Sequence, residues 1–179
     1  MHINILQPFN CILIINKRQI KNLLKINYIP ITLQIILITE GSLTKNLNCL
    51  TNMSTSIKIQ QKYIINHNMI KNIRCVWLEN ELYTKLTFAR SLWLITYQDS
   101  TLMYKELKNN KPIGQLLIES KKDIHKAIEE IYYGYCQYLE KSFYINQPIW
   151  GRKYLLYYKS QTYAIIQEFF SPKILDFFI

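Results

Sequence analysis

Four runs of aromatic and β-branched residues fall into two pairs, and only a few polar residues separate the members of each pair. Arg74-Cys-Val-Trp-Leu78 and Thr84 to Ile95 flank the turn Glu79-Asn80-Glu81, while Tyr154 to Tyr158 and Tyr163 to Phe169 flank Lys159-Ser160-Gln161-Thr162. Links this short join antiparallel neighbours, because a parallel crossover needs a dozen residues or more. A further alternating stretch, Ser56 to Ile65 with Ile57, Ile59 and Tyr63 in phase, predicts another half-buried strand. The class expected is therefore α+β, built on one antiparallel sheet.

Helices are expected ahead of that sheet. After Pro30 the run Ile31 to Ile38 is apolar enough for a buried helix, although its β-branched content also permits a strand. Glu40-Gly41 breaks it, and Ser42 is placed to cap a second helix over Thr44 to Leu50. Ser100 to Lys108 predicts a short helix, Pro112-Ile113-Gly114 a tight turn, Gln115 to Ile118 a short strand and Gln137 to Phe143 a helix. Asp123 to Tyr135 is ambiguous, since Ile124, Ala127, Ile128 and Ile131 have helical spacing. Pro172 should end the last strand. Residues 1–29 read as a loosely attached extension and 30–179 as one domain, the usual size for a single core.

A hydrophobic fraction of 49% and an aromatic fraction of 13% are those of a globular chain. The 22 Lys and Arg against 12 Asp and Glu give +10, a field that attracts anions without naming one; most of these lysines read as solvated surface. Cys11, Cys49, Cys75 and Cys136 are scattered, and His2, His67 and His125 lack ligand spacing, so neither a zinc site nor a disulfide framework is expected. The apolar runs are too short for a transmembrane helix. Lys17, Arg18 and Lys21 follow the first of them instead of preceding it, which is the wrong order for a signal peptide. A protein of this kind working in an organelle would be made there.

Six motifs occur in order over residues 40–172: Glu40-Gly-Ser-Leu-Thr-Lys45, Arg74-Cys-Val-Trp-Leu78, Phe88-Ala-Arg-Ser91, Pro112-Ile-Gly114, Trp150-Gly-Arg152 and Gln167-Glu-Phe-Phe-Ser-Pro172. In content and spacing they resemble the chorismate lyase superfamily, most closely a family encoded in red-algal plastids. The resemblance implies an antiparallel sheet of about six strands with helical flaps over an internal ligand cavity, and so a strand over Asp123 to Tyr135. It also implies loss of pyruvate from chorismate to leave 4-hydroxybenzoate, without metal or organic cofactor, in the plastid stroma. By the same likeness the carboxylate-holding arginine falls on Arg74, the glutamate facing the hydroxyl on Glu168, and two main-chain contacts on Leu43 and Ile113.

The residue types suit those roles. A guanidinium grips a carboxylate through two parallel hydrogen bonds, which fixes the direction of a ring. Glu168 lies in the apolar run Ala164 to Phe170, where an unpaired carboxylate would be costly, so a buried partner or ligand is expected. With partial desolvation it would accept a proton near neutral pH. Arg90 and Arg152 also match family positions and read either as charges attracting a dianion or as structural ion pairs. Trp150 and Gly151 read as packing and turn residues. The tyrosine hairpin beside Arg152 and Lys153 reads as one core face, with base stacking on a basic surface as the competing reading. The partner expected is an aromatic or cyclic carboxylate, not nucleic acid. A small-molecule-binding module of the same fold is the alternative to a lyase, since fold alone does not establish catalysis.

Overall fold

The computed structural model describes residues 8–20, 29–66, 69–96, 124–158 and 161–178. The described elements, in order, are β1 (Asn10–Asn16), α1 (Lys17–Ile20), α2 (Ile31–Ile38), α3 (Leu43–Thr51), β2 (Ser56–Asn66), β3 (Met69–Glu79), β4 (Lys85–Thr96), β5 (Ile124–Tyr135), α4 (Gln137–Phe143), β6 (Ile149–Tyr158), β7 (Gln161–Phe170) and a 3-10 helix (Pro172–Phe178). The strands form one sheet in the order β1-β5-β6-β7-β4-β3-β2, every neighbouring pair antiparallel. Both expected hairpins are present. The helix, turn and strand expected between Ser100 and Ile118 lie outside the described residues.

One expectation is corrected. The described sheet has seven strands instead of about six, and the seventh comes from the stretch read as a loose extension: residues 10–16 pair with β5 as an edge strand. β7 stops at Phe170, ahead of Pro172 as expected, and Pro172 opens a 3-10 helix that the sequence pattern did not suggest.

Two ambiguities are resolved. In α2 the buried residues Leu33, Ile36 and Leu37 are three and four apart, so the run packs one helical stripe and leaves Ile31 and Ile35 outward. The second helix starts at Leu43, with Ser42 as the cap whose side chain accepts from the Lys45 amide, and it ends at Asn52 in the left-handed region. Asp123 to Tyr135 contributes a strand, and its register slips between Ile128 and Glu130. That slip puts Ile128 and Ile131, three residues apart, on the same side of the sheet, which is how a strand imitates helical spacing. At the β3–β4 turn, Asn80 Oδ1 accepts from the Leu82 and Thr84 amides, and Tyr83 takes a positive φ of 58°.

Each face of the sheet carries its own cluster. On the inner face Leu33, Ile36, Leu37, Leu43, Leu47 and Ile174 from the helices meet Val76, Trp93, Ile131, Tyr154 and Ile166. On the outer face α4 contributes Leu139 and Phe143 against Cys75, Phe88, Tyr132, Ile149 and Phe169. Gly134 allows β1 to approach: a Cβ there would collide with the Asn10 carbonyl and the Cys11 backbone. Gly134→Ala is therefore expected to lower unfolding free energy by about 1–3 kcal/mol. It should also speed amide exchange over residues 10–16. Gly41→Ala, whose Cβ would meet nothing closer than 3.9 Å, serves as the control. Equal denaturation midpoints for the two variants would argue against a docked β1.

Candidate functional site

Directly opposed residues in antiparallel strands share a side of the sheet, so the register becomes rows across the inner face. One row reads Ile131, Arg152, Glu168, Ala89, Val76, Ile59; the next Ile128, Tyr154, Ile166, Ser91, Arg74, Gln61; the third Lys126, Leu156, Ala164, Trp93, Asn72, Tyr63. Polar side chains thus gather on β5 to β7 and again on β2 to β4. Ala89, Ala164 and Ile166 lie between them.

The first group centres on Arg152, which is fully buried. Its Nε donates to Glu168 Oε2 at 2.7 Å, and its Nη1 lies 2.7 Å from the Ile36 oxygen, 3.2 Å from that of Leu37 and 2.8 Å from that of Thr39. These carbonyls belong to the end of α2, where a helix leaves acceptors unsatisfied and its dipole favours a cation. The Tyr154 hydroxyl donates to Glu168 Oε1 at 2.9 Å. Lys126 Nζ donates to the Thr39 oxygen at 3.2 Å and sits 4.1 Å from the centre of the Tyr154 ring.

Charge follows from this packing. Burial pushes the Glu168 carboxyl up, but the Arg152 and Lys126 charges and the hydrogen bonds from Arg152 and Tyr154 outweigh it and hold the group below its ordinary value. Glu168 is therefore a fixed anion at neutral pH, not the near-neutral proton acceptor that desolvation alone would give. Burial, followed by repulsion from Arg152, lowers Lys126 to about 8. The Tyr154 hydroxyl is raised well above the phenol range by burial and by Glu168.

In the second group Arg74 is fully buried; burial lowers its pKa and Tyr63 opposes that shift. Arg74 and Glu168 lie two strands and one row apart, about 12 Å between Cα atoms for ordinary sheet spacings. The small residues Ala89 and Ser91 of β4 occupy the ground between them. Leu43 is buried and is the first residue of α3, where backbone N–H groups lack intrahelical acceptors. Ile113 lies outside the described residues. Arg90 alternates with Ala89 and Ser91 and so faces the opposite side of the sheet, where its Nε donates to Gln167 at 2.6 Å. Arg152 takes the ion-pair alternative, buried directly against Glu168.

Sequence reasoning missed Lys126 and Asn72 and read Tyr154 as part of a core face or a base-stacking surface, not as a partner of Glu168. A period-two signal was present, since Tyr154 is two residues after Arg152 and Asn72 two before Arg74. Lys126 had none, because its place depends on the slip in β5.

Residues 37–178 match the family model described as chorismate pyruvate-lyase Rv2949c-like. The ycf21 protein of Antithamnion sp. is 43% identical over 178 residues, covering 99% of this chain and 98% of its own. The ycf21 protein of Porphyra purpurea is 36% identical over 153 residues, covering 83% and 86%. Among solved structures, gene product SA0254 of Staphylococcus aureus superposes with a TM-score of 0.52 at 8% identity, over 74% of this chain and 88% of that one, a likeness of fold alone. The chain belongs to the Rv2949c-like chorismate pyruvate-lyase family and carries a chorismate lyase-like antiparallel α+β fold.

Proposed function

We propose that the inner face binds a planar cyclic acid, Arg74 gripping its carboxylate and Glu168 accepting its hydroxyl, and that the protein eliminates pyruvate from chorismate to leave 4-hydroxybenzoate. The observation that carries this reading is a fully buried arginine and a buried carboxylate on one face with only small side chains between them. Two long side chains reaching inward from Cα atoms about 12 Å apart leave a gap on the scale of one ring. Glu168 has acceptor capacity left after Arg152 and Tyr154, because a carboxylate offers about four lone-pair sites. The amides of Leu43 and Ile113 complete the site as main-chain donors.

In the elimination the bond from the ring to the enolpyruvyl oxygen breaks, and the ring carbon bearing the hydroxyl loses its proton. The departing unit gains a proton at its methylene and becomes pyruvate. Held low by Arg152, Glu168 is a weak base. We therefore assign the proton to the substrate's own methylene and give the protein the tasks of orienting the ring and excluding water. The likeness to ycf21 proteins of algae supports a place in the plastid stroma, with the product feeding quinone synthesis. The same fixed anion favours a second reading, a module that binds an aromatic acid without turning it over. Incubation with chorismate decides: 4-hydroxybenzoate and pyruvate in equal amounts support the lyase, and tight product binding with neither formed supports the module.

Arg74→Ala should weaken 4-hydroxybenzoate binding by about 2–5 kcal/mol, with Arg74→Lys recovering part of the loss. Calorimetry showing unchanged affinity in the alanine variant would move the site elsewhere. Since Glu168 is already ionised, kcat/KM should be flat between about pH 5 and 7. It should then fall as pH rises through about 8, where Lys126 loses its charge and its attraction for an anion. Lys126→Met should abolish that alkaline limb, and a limb that persists would exclude Lys126 as its source. Glu168→Gln should cost about 3–5 kcal/mol of stability by leaving Arg152 buried without its counter-ion. Turnover per folded molecule should fall by less than about 10²-fold, whereas a larger fall would restore Glu168 as the base.

A further inference from the structure

Asn72 is two residues before Arg74 on β3, so its side chain shares the inner face at a step of about 7 Å. It is fully buried, paired across the sheet with Tyr63 on β2 and Trp93 on β4. The indole Nε1 of Trp93 donates to Ser91 Oγ at 2.8 Å. Among the described residues neither Nδ2 nor Oδ1 of Asn72 has a hydrogen-bond partner. A primary amide in that state opposes folding, because it has left water for nothing in return, whereas a leucine of the same branched shape, though larger, carries no polar group to leave unpaired. Buried polar groups with no protein partner need an explanation, and a ligand on the same face as Arg74 supplies one.

We propose that Asn72 is a second ligand contact on the carboxylate side of the site, its Nδ2 donating to the carboxylate that Arg74 pairs with. This rests on the reading of Arg74 given above. The amide is neutral, so it adds a directed hydrogen bond without adding another buried charge. Its Oδ1 is left to accept from water entering with the ligand. Arg74 supplies the charge and Asn72 restricts the angle at which a planar acid enters, on the opposite side of Arg74 from the Glu168 row.

The test uses the full chain and 4-hydroxybenzoate. Calorimetric titration of Asn72→Leu should show affinity about 10- to 100-fold weaker than the unmodified protein. Urea denaturation of the same variant without ligand should show a higher midpoint, because the unpaired amide is gone. Unchanged affinity overturns the proposal. Asn72→Thr and Asn72→Val, nearly equal in shape, provide a second comparison if the leucine is not accommodated: the threonine hydroxyl should bind the acid more tightly than the valine methyl, and equal affinities overturn the proposal. Unmodified protein that responds to neither 4-hydroxybenzoate nor chorismate removes the functional reading and this inference together. Binding by the unmodified protein that Asn72→Leu leaves intact removes the inference alone.

Discussion

The buried contact between Arg152 and Glu168 is the interaction on which the rest of the inner face depends. Two charges that leave water are tolerated only when their geometry is good and their remaining hydrogen-bonding groups are met. Here Nε of the guanidinium reaches Glu168 on β7 and Nη1 reaches three carbonyls at the end of α2, while Tyr154 occupies the second carboxylate oxygen; among the described residues only Nη2 of Arg152 is left without a partner in the pair. The same arginine therefore holds Glu168 ionised and anchors α2 over the sheet. Lys126, donating to one of those carbonyls, extends the arrangement to β5.

The charge on this inner face acts differently from the net charge of the whole chain. Among the described residues, the three rows bring Arg74, Arg152 and Lys126 onto one face with Glu168. Charges inside a protein act at short range and with little screening, whereas solvated lysines spread over a surface act weakly and are damped by salt.

Much of the sheet was legible because it depends on local rules. Short polar links forced the hairpins, and alternation in β2 followed from Ile57, Ile59 and Tyr63. Ser42 marked the start of α3. What was not legible depends on contacts remote in sequence. β1 is an edge strand of apolar residues with no punctuation, recognisable only by its pairing with β5, and the slip at Ile128 disguised that strand as a helix. At the candidate site, motif likeness alone singles out Arg74 and Glu168, and parity along β4 sets Arg90 on the opposite face. The ionisation of Glu168 was misjudged from sequence, because desolvation was visible in the apolar run whereas Arg152, 16 residues away, was not known to touch it.

The claim that organises this account is that one ligand spans from Arg74 to Glu168 while the Arg152–Glu168 contact stays intact. A crystal structure of the protein with 4-hydroxybenzoate tests it most directly. The account predicts the ligand carboxylate within hydrogen-bond distance of the Arg74 guanidinium, its hydroxyl on Glu168, and Arg152 still bonded to Glu168. A ligand whose carboxylate displaces Glu168 from Arg152, or that lies on the outer face beside Arg90, would contradict it.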